Sequence, residues 1–185
     1  MRSIDFSAIL SGQIKFTDLI SEITYTDLQM ITSDLFETIE AVIAQATDDD
    51  VVFVPRDPQS KEGDQLGWTL GHVVAHLTAT LEECGAMASM LARGVPVKER
   101  LRYEVPWESI KTVHQVRVRL SESHRMCNAF LDTWPNEPHL DITIVTVPVF
   151  GPINAVGNYM LGVLHAHTHL DQLREIMRQA KDAER

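Results

Sequence analysis

At 185 residues, 44% hydrophobic and 23% charged, the chain suits one domain with a sizeable core and is too short to suggest two. Its 26 acidic residues against 16 lysines and arginines give a formal net charge of -10. That balance repels phosphate backbones and anionic lipid surfaces, and no basic stripe with interleaved aromatics offsets it, so neither nucleic acid nor membrane is expected as a partner.

The longest apolar runs, such as residues 142–150, fall well short of a membrane span. Asp5 and Ser7 interrupt the apolar run that a secretory signal would need. Cys84 and Cys127 have no CxxC or CxxH neighbour, which argues against a disulfide framework or zinc finger. The expectation is a cytoplasmic protein.

Residues 1–24 carry Ile4, Phe6, Ile9, Leu10, Ile14, Phe16, Leu19 and Ile20 without clean periodicity. They predict a short helical arm, laid on the remainder or exchanged with a partner, and residues 25–185 form the single domain. The first strong helix is expected to open at Thr26, with Gln29 completing a capping box and Tyr25 and Met30 at staple positions. Leu28, Leu35, Ile39, Val42 and Ala46 continue at seam spacing, widened by Ile31 and Ile43, until Asp48-Asp49-Asp50 ends the helix.

Residues 51–64, with Pro55, Pro58 and Gly63, read as a connection. A second helix follows from Thr69 to Arg93, with Leu70, Val73, Val74, Leu77, Leu81, Cys84, Ala88 and Leu91 on one face and Gly94 and Pro96 stopping it. Pro106 is placed to open a third, striped by Val113, Val116, Leu120, Cys127, Phe130 and Trp134 and closed by Pro135. Residues 136–152 hold one strand-like run, ITIVTV, with no partner strand. They predict an extended crossover packed on the bundle and able to cover a site. The fourth helix spans about 154–180.

Five of the eight histidines fall in two short clusters, His72 with His76 and His165 with His167 and His169. Residues four apart on a helix share a face, with Cβ atoms roughly 5–6 Å apart, which suits two imidazoles on one metal ion. At about 100° per residue, His76 lies at the edge of the buried stripe of helix two and His72 points towards solvent. On helix four, His165 and His169 share a face with Gly162, Leu173 and Ile176, and His167 points away. The wheel alone does not say which face is inward, since Met160, Val163 and Leu164 occupy the other; the pairing of His165 with His169 favours theirs. Gly162 would leave room beside such a site. His114, His124 and His139 lack partners at ligand spacing.

The helix opening Trp68-Thr-Leu-Gly-His-Val-Val-Ala-His76-Leu and the final helix with His165-Ala-His-Thr-His169-Leu-Asp-Gln-Leu173 resemble the DinB/YfiT-like superfamily, in order and distance, over about residues 25–180. The resemblance implies an all-α, up-down-down-up four-helix bundle, often homodimeric, with a divalent metal, commonly zinc or nickel, on His76, His165 and His169. His72 and His167 are extra to the pattern, and so is the N-terminal arm. Some members of the family use low-molecular-weight thiols such as bacillithiol or mycothiol as co-substrates.

Three imidazoles leave a coordination position open, the arrangement of catalytic rather than structural zinc. An ion there lowers the pKa of a bound water or deprotonates a thiol. The leading expectation is a metal-dependent enzyme on a small-molecule substrate, thiol S-transferase-like or hydrolase-like. The alternative is a non-catalytic binding or stress-associated bundle whose histidines are structural. No general base stands out: Asp171 and Glu175 lie on the metal helix but read as solvated. Cys84 and Cys127 read as small hydrophobes on apolar stripes, and Trp107 as a possible pocket wall.

Overall fold

A computed structural model describes residues 8–9, 11–56, 67–99 and 103–183. Ile4, Phe6 and Leu10 of the expected arm, and Pro58 and Gly63 of the connection, lie outside the described residues. The described chain is all-helical: α1 (Phe16–Ile20), α2 (Tyr25–Val42), α3 (Asp48–Val52), α4 (Leu70–Ala92), α5 (Val113–Asp132), α6 (Ala155–Thr168) and α7 (Leu170–Ala183). The strand-like run pairs only as an isolated antiparallel bridge, Ile144 with Ile153.

The central helix is α4, packed chiefly against α6 and α5. All eight residues of its predicted stripe are buried, and so are neighbours on its other faces, including Ala75, Thr78, Ala79 and Met87. A helix apolar nearly all round is one enclosed by others. Its start is set by Thr69, whose hydroxyl accepts the His72 N–H at 3.2 Å. It ends at Gly94, whose φ of 84° is the left-handed conformation that favours glycine.

Three boundaries differ from the sequence reading. The first long helix is capped by Thr24, not Thr26: Thr24 Oγ1 accepts the Asp27 N–H at 3.2 Å and Asp27 Oδ2 accepts the Thr24 N–H at 2.9 Å. Asp27 carries a full charge into the positive end of the helix, which Gln29 cannot, and Tyr25 and Met30 are both exposed.

The acidic run 48–50 does not end that helix either. The helix is over at Val42, and Thr47 with Asp50 forms a second capping box that opens α3. Carboxylates belong at a helix start, for the same dipole reason.

Pro106 opens only a 3-10 turn over Trp107–Ser109, after which Ile110 turns extended. The third long helix begins at Val113 through a Thr112–Gln115 box. On it Val116, Leu120, Cys127 and Leu131 are buried and Val113 and Phe130 partly so, while Trp134, also partly buried, lies just beyond its end at Asp132.

Of the arm, Phe16 packs its ring on Phe150 (centroids 4.7 Å apart), and a Cβ on Gly157 would come 2.9 Å from Ile20 Cδ1. This part lies on the bundle of its own chain. The crossover is fastened to α6 by Thr146 Oγ1, which donates to the buried Asn158 Oδ1 at 2.9 Å.

Candidate metal centre

His76 sits on α4 at the edge of the buried face, as its wheel position requires, and is half-buried. His165 lies near the end of α6 and His169 caps it. The expected single helix over 154–180 tightens there: the Thr168 hydroxyl donates to the His165 carbonyl at 2.6 Å, and the His169 N–H bonds Ala166 O at 3.1 Å. A threonine that takes a helical carbonyl in this way competes with the regular ladder. The ladder resumes with the Leu173 N–H on His169 O at 2.9 Å, so the two imidazoles stay on one face.

The three rings converge. His76 Nε2 is 3.1 Å from His165 Nε2, and His169 Nε2 is 3.4 Å from the same atom. All three lie within 4.8 Å of one another, the group among the described residues able to hold a metal ion. Nitrogens bound at about 2.0–2.1 Å in a tetrahedral zinc site stand roughly 3.3 Å apart, so the spacing fits such an ion. Hydrogen bonding alone fits less well. A neutral imidazole carries one N–H, and a proton on His165 Nε2 can serve His76 or His169, not both.

Beyond these atoms, His169 Nδ1 is 2.7 Å from Gln172 Oε1. Glu104 Oε2 is 3.7 Å from His76 Nδ1, too long for a hydrogen bond but close enough for attraction to a positive ring. Burial pushes the pKa of His169 down, opposed by its bond to Gln172. A ring kept neutral is a ring ready to bind metal.

A cavity of about 620 Å³ opens beside His76 and His165. Trp68, Met87 and Leu161 supply apolar wall, Thr146 and Val147 of the crossover close one side, and Glu83 and Glu104 bring carboxylates. The crossover thus contributes Thr146 and Val147 to the cavity lining.

The remaining histidines stand apart from the triad. His72 lines the same cavity but is sandwiched between Trp68 (4.1 Å, 17°) and Trp107 (4.6 Å, 7°). Burial lowers its pKa against the pull of Glu104 and Glu108. Trp68 also meets His76 edge-on at 4.8 Å, so the indole joins stack and centre. His167 is half-buried elsewhere on α6, its pKa lowered by burial and then by Arg174. His124 stacks on Phe36. Asp171 and Glu175 are exposed and paired with Arg174 and Arg178.

Sequence reasoning missed Glu104 and Glu83 and gave Gln172 no role. Gln172 had a local signal, three residues after a candidate ligand. Glu104 had none, because it reaches the site from a non-helical segment.

Three imidazoles from α4 and the α6–α7 junction, beside a cavity of ligand size, define a helical-bundle protein with a three-histidine centre suited to a divalent ion. The family model of the DinB superfamily matches residues 31–173, and the chain belongs to that superfamily, which includes metal-binding members. No curated protein and no solved structure is significantly similar to it.

Proposed function

We propose that this protein is a divalent-metal-dependent enzyme in which His76, His165 and His169 hold the ion and the adjoining cavity receives a small-molecule substrate. The observation that carries the reading is the convergence of the three Nε2 atoms at 3.1 and 3.4 Å, with His76 and His165 lining the adjoining cavity. Zinc or nickel suits an all-imidazole donor set. Bound there, the ion would supply Lewis acidity that favours the deprotonated form of a thiol or a water.

The chain's own residues do the rest. Trp68, Met87, Leu161 and Val147 hold the apolar body of a substrate and keep water from it. Glu104 places a carboxylate 3.7 Å from His76, where it favours a cation, and Glu83 lines the same cavity. Transfer of a low-molecular-weight thiol, or hydrolysis, is the reaction class that such a site serves best. On family grounds we also take the protein to be a homodimer, which light scattering at micromolar concentration checks.

Elemental analysis of untagged protein tests the centre. Near one equivalent of zinc or nickel is expected in the wild type and none in His76→Ala or His165→Ala. Absence of metal after dialysis against a divalent mixture would instead make the histidines structural residues of a non-catalytic bundle.

A further inference from the structure

A histidine binds metal only through a ring nitrogen that has lost its proton, and a neutral imidazole has two places to keep the one it retains. For a free side chain in water the commoner place is Nε2. That is the nitrogen His169 turns towards His165. In its ordinary tautomer His169 would therefore aim a donor, not a lone pair, at the centre.

The far side of the ring decides otherwise. Nδ1 lies 2.7 Å from Gln172 Oε1, an oxygen that only accepts, so Nδ1 carries the proton and Nε2 is left bare. Three residues apart on a helix, the two side chains share a face. The helix is continuous between them through the Leu173 N–H on His169 O, and Leu173 and Ile176 are fully buried, which fixes its rotation. Turning the amide over would present its NH2 to Nδ1 and force the ring proton onto Nε2. In the orientation present, this hydrogen bond favours the tautomer whose Nε2 can bind metal.

We propose that Gln172 is a positioning residue: its carbonyl oxygen locks His169 in the Nδ1–H tautomer and so keeps Nε2 available to metal. The affinity part of this proposal rests on the three histidines being ligands; the tautomer part does not.

The test uses full-length, 15N-labelled protein stripped of metal by chelation, read by long-range proton–nitrogen correlation of the imidazoles. The wild type shows His169 protonated at Nδ1. Gln172→Leu moves the proton largely to Nε2 and weakens Zn2+ binding, measured by chelator competition, by about 10- to 100-fold. Gln172→Glu, which keeps an acceptor, restores both the tautomer and the affinity. Gln172→Met serves should the leucine variant fold poorly, and the melting temperatures of the metal-free forms report on that.

A wild type protonated at Nε2, or a Gln172→Leu variant that keeps the Nδ1 proton and wild-type affinity, overturns the proposal. A wild type with the Nδ1 proton that takes up no zinc upholds the tautomer part of the proposal and overturns the metal reading and the affinity part with it.

Discussion

Gly162 lies so close to Cys84 that a Cβ on the glycine would stand 2.8 Å from the cysteine Cβ and 3.4 Å from the Leu81 Cα. Real side chains do not approach that far, so only glycine permits α6 to press this tightly on α4. The contact is one turn from His165, on the same pair of helices that carries the 3.1 Å approach of His76 to His165. Glycine inside a helix costs about 1 kcal/mol against alanine, a cost that the close approach explains.

Gly162→Ala should therefore destabilise the protein despite its better helix propensity. Overpacking costs about 1–3 kcal/mol, which exceeds the propensity gain over most of that range. Thermal denaturation should show a lower Tm, and metal affinity should fall with it. A raised Tm would mean that the helices part freely here.

The start of α2 offers a comparison between two threonines. Thr24→Ala removes a capping box and should cost about 1 kcal/mol. Thr26→Ala, past the cap and in the exposed first turn, should stay within about 0.5 kcal/mol of wild type. Urea titration of the two variants separates them, and equal losses would contradict the observed boundary.

His72 and His76 should part company when each is replaced. His72→Ala removes two aromatic stacks, each worth about 0.5–1.5 kcal/mol, and frees Trp107 and the segment that carries Glu104. It should keep its metal while losing stability and changing its tryptophan fluorescence. His76→Ala should lose the metal. Metal lost from both would place His72 among the ligands, against the stacking geometry.

Stability should fall in alkali because of Cys127. Burial raises its pKa from 9.0 to about 12. A thiol whose folded pKa is raised contributes its stability in full below the unfolded value. That contribution is lost as pH rises through about 9 towards 12. The Tyr159 hydroxyl, raised well above its usual value by burial, acts in the same direction. Melting curves between pH 8 and pH 11 should show a shallower decline for Cys127→Ala than for wild type, and parallel declines would exclude the thiol as a cause.

His165 and His169 were legible as a pair on one face because α-helical periodicity is local: four residues return to one face whatever surrounds them. His76 was legible by the same geometry, measured against the apolar stripe of its own helix. The burial of Leu70 through Leu91 on α4 followed from that stripe too. Boundaries were harder. Thr24, Thr26 and Thr47 all have a side chain able to cap, and choosing among them turns on small energies in the first turn.

The sequence by itself thus determined the helical class, the apolar stripe from Leu70 to Leu91, and the face on which each candidate ligand sits. Those properties arise within one helix, from hydrogen bonds and side chains a few residues apart. Only the tertiary structure decided that His76 meets His165 across 89 positions of sequence, that Trp68 and Trp107 enclose His72, and that Glu104 enters the cavity. Such contacts depend on how far one helix rotates and how closely it approaches another. That is fixed by the packing of many side chains together, down to the missing Cβ of Gly162, and no local pattern encodes it.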